Sequence, residues 1–190
     1  VELFTVADEA RAREIAQHLT RQNDARRAVE NEIFRQAVEL AEASGMTGPD
    51  KRAIVLVLEG WHAGVVGVVC SGLVERLATN VEAARRSIES FDAGVVGIVC
   101  WRVVERYSRP VILMHCRETE GGAMCSGSGR SVEGFNLHAG LEACADLLEK
   151  YGGHDMAAGL HLRMEHMAAF AERFIAYANE RIAPGDLVPR

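Results

Sequence analysis

Residues 53–67 read Ala-Ile-Val-Leu-Val-Leu-Glu-Gly-Trp-His-Ala-Gly-Val-Val-Gly. The run Ala53–Leu58 has the length and β-branched content of a buried strand. Gly60 ends it, and a helical stretch from about Ala63 to Leu77 follows. Strand, glycine turn and helix in that order open a βα unit. The expected class is therefore α/β: a small mixed sheet flanked by helices. Upstream, residues 7–44 read as one long helix or two in sequence, a helical arm entered through Thr5-x-x-Asp8, which resembles a capping box. Leu19, Val29, Ile33, Ala37 and Leu40 fall near one stripe of that arm, with charges on the rest. Ser44–Asp50 carries two glycines and a proline and reads as a linker. The arm and linker occupy 1–50, and the folded domain 51–182.

Downstream of the first unit the pattern stays α/β. Pro110–Met114 is a short strand, and Ala123–Val132 suits a loop or a tight edge strand. Leu137, Leu141, Cys144, Leu148 and Tyr151 mark one helix face. Gly152-Gly153-His154 is expected to stop that helix. Gly159–Arg163 places Leu160 and Leu162 on one side of a strand. Met167, Phe170, Phe174, Ala178 and Ile182 define a last amphipathic helix. Residues 183–190 are a tail; Leu-Val-Pro-Arg resembles a tag remnant or opens a following segment.

A tandem repeat interrupts this scheme. Residues 61–77 read WHAGVVGVVCSGLVERL, and residues 91–107 read FDAGVVGIVCWRVVERY, 30 residues later. Two copies are too few to build a solenoid, so a local duplication inside one domain is expected. Its surplus Val-rich helix must bury its apolar face on the same domain or on a second chain, a route to homo-oligomers by segment exchange.

The 190 residues are 48% hydrophobic and 25% charged, with 21 basic against 27 acidic side chains and a net charge of −6. These values exclude a disordered chain and a collagen-like repeat. No window has the roughly 18 uninterrupted apolar residues of a membrane span, so no membrane partner is expected. The acidic balance argues against a general electrostatic nucleic-acid footprint; a phosphate would have to be held by a few placed groups. Cys70, Cys100, Cys116, Cys125 and Cys144 show no C-x-x-C spacing. They are expected to be buried, reduced thiols of a cytoplasmic protein, with no metal site among them.

Three glycine motifs could carry chemistry. Trp61-His62-Ala63-Gly64-Val65-Val66-Gly67 lies at a strand-to-helix turn, where a helix N-terminus attracts anions, although its glycines also suit close packing. Gly127-Ser128-Gly129-Arg130-Ser131 offers backbone N–H groups, hydroxyls and a planar guanidinium for phosphate. Gly152-Gly153-His154 places an imidazole able to donate to phosphate, act as acid or base, or bind metal.

The ordered series GSGRS–VEGFNL, helix, GGH–DMAAG closely resembles the DHH-associated domain of RecJ-type exonucleases. AIVLVLEGWHAGVVG, VERYSRPVIL and the arm with Arg21-Gln22-Asn23 and Glu30–Glu32 resemble the same family, over roughly residues 1–182. The family degrades single-stranded DNA from the 5′ end, with two metal ions, usually manganese, held by Asp and His in a separate DHH domain. The resemblance implies that Gly129, Arg130, Ser131, Gly152, Gly153 and His154 face substrate, with His62 lining the same cleft. The expected partners are single-stranded nucleic acid or a short oligonucleotide, and the catalytic DHH domain of a parent protein.

The departures shape the expectation. The chain has no Asp-His-His triplet, and the only Asp adjacent to a His is Asp155. No catalytic or metal-binding residue is therefore assigned, and Mn or Mg is expected only with the missing half. The chain begins at valine, which suggests a piece of a longer protein. It reads as a substrate-binding module of a RecJ-like 5′→3′ exonuclease, inactive alone. The alternative is a structural, oligomerising protein, engineered or rearranged, with a vestigial site. At the repeat, copy one carries His62 where copy two carries Asp92. The latter caps a helix well but repels phosphate.

Overall fold

The computed structural model describes residues 8–57 and 96–183, with 185 and 187. Thr5, the Trp61-His62 turn, the rest of the first repeat copy and the polar segment 81–90 lie outside the described residues. Helix α1 spans Glu9–Ala43. Asp8 itself caps it, its carboxylate accepting from the Ala10 N–H at 3.0 Å. Only its C-terminal part packs: Ile33, Ala37 and Ala41 are buried, whereas Leu19 is 50% exposed. The exposed half is laced by pairs such as Arg13–Glu9 and Arg11–Glu14 at helical spacing, which support a helix that has little tertiary packing.

Among the described residues the sheet has five strands: β1 (Ile54–Val57), β2 (Val111–Thr119), β3 (Gly122–Arg130), β4 (Lys150–Gly153) and β5 (Ala157–Arg163). Their order is β1-β2-β3-β5-β4. The β1–β2 pair is parallel and the others antiparallel, so the expected mixed α/β sheet is present. Helices cover both faces. On one side, α3 (Leu137–Glu142) and α4 (Met167–Arg181) pack Leu137, Leu141, Phe170 and Phe174 onto Val55, Ile112, Met114, Leu160 and Leu162. On the other, α1 and the helix over 96–107, here α2, cover Ile54, Leu56, Val111 and Leu113.

Helix α2 is the second repeat copy. Val96, Val99, Cys100, Val103 and Val104 form its buried face. Residues peculiar to this copy tie it to α1. Arg102 donates to Asn31 Oδ1 at 2.9 Å and lies 4.1 Å over the Phe34 ring. Tyr107 donates to Glu42 at 2.8 Å. Copy one has Gly72 and Leu77 at those positions, which supply neither a cation nor a hydroxyl.

Two expectations about secondary structure need correction. Residues 123–130 are neither loop nor edge: β3 lies in the middle of the sheet. Its alternation is hidden because two of its core-facing positions are glycines. A Cβ at Gly127 would sit 2.4 Å from Met114 Cγ and 3.2 Å from Leu160 Cδ2. One at Gly129 would sit 2.9 Å from Leu137 Cδ2. Neighbouring side chains thus fill space that β3 leaves empty. The single helix face expected from Leu137 to Tyr151 is also broken. The helix ends at Glu142, a 3-10 turn follows at Ala145–Leu147, and Lys150–Gly153 pairs with β5. Otherwise exposed β5 backbone groups gain partners this way, and Gly152-Gly153 is a poor helix sequence. Gly152-Gly153-His154 therefore lies at a strand end and not at a helix end.

The thiol expectation fails for one pair. Cys116 and Cys125 face each other across β2 and β3 and form a disulfide, with Cα atoms 4.0 Å apart. The Thr119–Gly122 turn sets that register. Cys100 and Cys144 are free and buried, as expected; burial pushes their thiols up to about 12 and about 11.

Arg52 joins the ends of the domain. Its guanidinium donates to the Asn179 carbonyl and, at 2.6 Å, to that of Ile182. A cation at these last carbonyls favours the end of α4.

The packing above Gly127 leads to a first prediction. Gly127→Ala should destabilise the domain by about 1–3 kcal/mol, because Met114 and the Leu113 carbonyl must yield. Gly159→Ala, whose Cβ would meet only the Gly127 carbonyl at 3.7 Å, should leave stability unchanged or slightly raised. Urea unfolding of both variants checks the contrast.

Candidate functional site

The two sequence motifs that point to phosphate meet at one end of the sheet. Arg130 is the last residue of β3 and pairs in register with Ala157 of β5. The His154 N–H donates to the Ala157 carbonyl at 2.8 Å. Arg130 and His154 therefore flank Ala157 from opposite sides, two strand spacings (~10 Å) apart. The turn between β4 and β5 is locked to the segment after Arg130. Ser131 N–H donates to the Met156 carbonyl at 3.0 Å, and Leu137 N–H to that of Asp155 at 2.9 Å. These backbone bonds hold together motifs that lie far apart along the chain.

Each expected residue has a distinct setting. Arg130 is half-buried; its Nη1 donates to the Gly129 carbonyl at 2.8 Å. Its Nη2 would lie 2.5 Å from a Cβ at Gly97 on α2, so a side chain there would shift the guanidinium. The guanidinium thus sits against the first described turn of α2. His154 is exposed, as are Gly152 and Gly153. Gly153 has φ +141°, and a Cβ there would lie 2.4 Å from the Ala157 carbonyl, so the fold requires glycine. Gly152 is different: a Cβ would meet nothing within 4 Å. As β4 is an edge strand, one side of its backbone has no strand partner among the described residues.

Two expected residues do not face the open surface. Ser131 is fully buried, and its hydroxyl donates to the Phe135 carbonyl at 2.7 Å. It braces the turn that leads into α3. Gly129 turns its Cα toward Leu137, so its part is packing. His62 lies outside the described residues. Asp155 Oδ1 accepts from the Met156 N–H at 3.0 Å, a local turn contact.

Among the described residues, no group of three or more His, Cys, Asp or Glu side chains converges as a metal site. The donor set for the metals of the resemblance is thus not found there. No helix among the described residues is long and apolar enough to cross a membrane.

The sequence reading missed several residues on the same sheet face. Strand alternation puts Ser126 and Ser128 beside Arg130 on β3, His115 and Arg117 on β2, His161 and Arg163 on β5, and Lys150 on β4. Ser126 Oγ and His161 Nδ1 are 2.8 Å apart. Burial, then Arg117 and His161, pull the His115 imidazole below its ordinary value. The signal was present in Ser-Gly-Ser-Gly-Arg and His-Leu-Arg, read with period two.

Known proteins resemble this chain over most of its length. The DHHA1 domain model matches residues 80–180, a span that includes the second repeat copy and excludes the first. The single-stranded-DNA-specific exonuclease RecJ of Bacillus subtilis is 30% identical over 189 residues, which is all of this chain and 20% of that protein. The Haemophilus influenzae enzyme of the same name is 30% identical over 181 residues, 92% of this chain and 25% of that protein. The chain therefore spans a fifth to a quarter of these relatives. A crystal structure of RecJ with Mg2+ from Thermus thermophilus superposes with a TM-score of 0.66 at 27% identity, covering 96% of this chain and 22% of that one. A manganese-bound exonuclease RecJ gives 0.64 at 26% identity, covering 98% and 38%.

The His115 environment predicts a pH effect. Its folded value lies below the ordinary 6.5, so the unfolded chain takes up the proton first as pH falls. The stability it contributes is complete above the ordinary 6.5 and is lost progressively as pH falls from there to the folded value. Melting measured between about pH 8 and about pH 5 should fall more steeply for the parent than for His115→Gln.

Proposed function

The chain belongs to the DHHA1 domain family, and on that premise we propose that it is the substrate-binding module of a RecJ-like exonuclease, holding single-stranded nucleic acid by its phosphates. The observation that carries this reading is the placement of Arg130 and His154 on either side of Ala157, with the open edge of Gly152 and Gly153 between solvent and β5. A guanidinium offers a planar fork to phosphate oxygens. An imidazole N–H adds a second donor. Bare backbone at Gly152 lets a ligand approach without meeting a side chain.

In this role the module binds and orients; it does not cleave. The hydrolytic chemistry belongs to a metal-binding DHH domain, supplied by a parent protein, in the cytoplasm. Alone, the chain should show no manganese-dependent nuclease activity, and addition of a catalytic half would be required for it.

Fluorescence anisotropy with a labelled, 5′-phosphorylated single strand tests the reading. Arg130→Ala and His154→Ala should each weaken binding by roughly ten- to hundredfold, the range for a charge-assisted hydrogen bond. Gly152→Ala should weaken binding while leaving the melting temperature unchanged or higher, since its Cβ meets no protein atom. Absence of binding at low salt, where phosphate contacts are strongest, would reject the module as a self-sufficient binding site.

A second reading, assembly through the surplus repeat copy, is favoured by one observation. The buried face of α2, Val96, Val99, Cys100, Val103 and Val104, recurs in copy one as Val66, Val69, Cys70, Leu73 and Val74. On that reading, deletion of residues 61–90 lowers the dimer content seen by size-exclusion chromatography. Unchanged assembly and melting discard it.

A further inference from the structure

The sheet face that holds Arg130 continues beyond it. One register row crosses four strands through Lys150 of β4, His161 of β5, Ser126 of β3 and His115 of β2. The next row adds Arg163 and Arg117, either side of Met124. Lys150, His161, Arg163 and Arg117 are exposed, and His115 and Ser126 half-buried. No acidic residue projects from β2, β3, β4 or β5 on this face. Glu149, just before β4, is held by Arg163 Nε at 2.8 Å. In a chain of net charge −6, this concentration of cations and imidazoles on one face is a local reversal of sign.

We propose that the row Lys150, His161, Ser126 and His115 is a second phosphodiester-contact site, reached by an extended single strand that engages Arg130 and passes over the exposed Gly159 of β5, since Cys100 of α2 lies against β3 at the Ser128 carbonyl, 3.1 Å away. The inference rests on the reading of Arg130 and His154 given above. Ser126 lies four residues before Arg130 on the same strand and the same face, about 14 Å away at strand rise. The 2.8 Å contact between Ser126 Oγ and His161 Nδ1 fixes the imidazole and leaves its Nε2 to meet a ligand. Whichever of the two donates in that contact, one outward N–H or O–H remains available to a phosphate oxygen. Lys150 adds a point charge at the open edge. The row therefore supplies donors and positive charge without a fork, suited to a phosphodiester passing over the sheet. A terminal phosphate is better suited to the Arg130 end.

Length dependence separates the two sites. The Lys150→Gln/His161→Gln double variant, checked by melting for an intact fold, is compared with the parent on two probes. One is a 5′-phosphorylated dinucleotide, the other a single-stranded DNA of about a dozen nucleotides. The variant should bind the dinucleotide as the parent does and the longer strand roughly five- to tenfold more weakly. Its dependence of log K on log salt should become shallower by about 0.7 for each phosphate that the variant no longer neutralises. Equal weakening on both probes, or an unchanged salt slope, overturns the proposal. Should the parent bind neither probe, the Arg130 reading fails first. Titration of Arg130→Ala with inorganic phosphate, followed by the His161 and His115 imidazole NMR signals, then decides the row by itself. Saturable shifts uphold it, and their absence rejects it.

Discussion

At residues 127 and 129, β3 presents no side chain to the face covered by α3 and α4, and the domain is assembled around that bareness. Met114 and Leu160 close over Gly127, while Leu137 closes over Gly129. Any side chain there would push against close-packed atoms that have little room to relax. Because the core face of β3 needs only a thin layer, α3 can sit low on the sheet. The Leu137 N–H then reaches the Asp155 carbonyl, which fixes the β4–β5 turn. The opposite face of the same strand is left for Ser126, Ser128 and Arg130.

The site inherits its geometry from this arrangement. Arg130 and His154 belong to separate motifs, yet both are tied to Ala157, one by strand register and one by a backbone bond. Ser131 contributes through its burial, since its hydroxyl secures the turn to Phe135. The fold thus uses one serine of the Gly-Ser-Gly-Arg-Ser motif as a brace and orients the other, Ser128, with Arg130. Gly97 makes the matching concession on α2, where a methyl group would displace the guanidinium.

Selection of the second repeat copy follows from contacts on its outer side. The buried faces of the two copies are nearly equivalent in sequence, so hydrophobic burial alone discriminates weakly between them. Arg102 and Tyr107 reach Asn31, Phe34 and Glu42 of α1. Gly72 and Leu77 of the first copy could not. The arm therefore has a structural part in the domain through its C-terminal half, while its N-terminal half, with Leu19 exposed, stands clear of this core.

By itself the sequence determined the α/β class, the long arm, β1, β5 and the last helix. In each of these, apolar spacing or β-branched runs match one periodicity without competition. It also singled out Arg130 and the Gly152-Gly153-His154 segment as candidates for one site, which the fold brings to either side of Ala157. Tertiary structure alone decided that residues 123–130 form a central strand, because its core positions are filled by side chains from elsewhere. It also turned Lys150–Gly153 from a helix tail into an edge strand, because β5 needed a hydrogen-bonding partner. Only strand register placed Cys116 opposite Cys125 and aligned Lys150, His161, Ser126 and His115 across four strands. Local sequence records which residues prefer to be buried; it does not record which distant backbone will lie beside them, and that pairing is what builds the site.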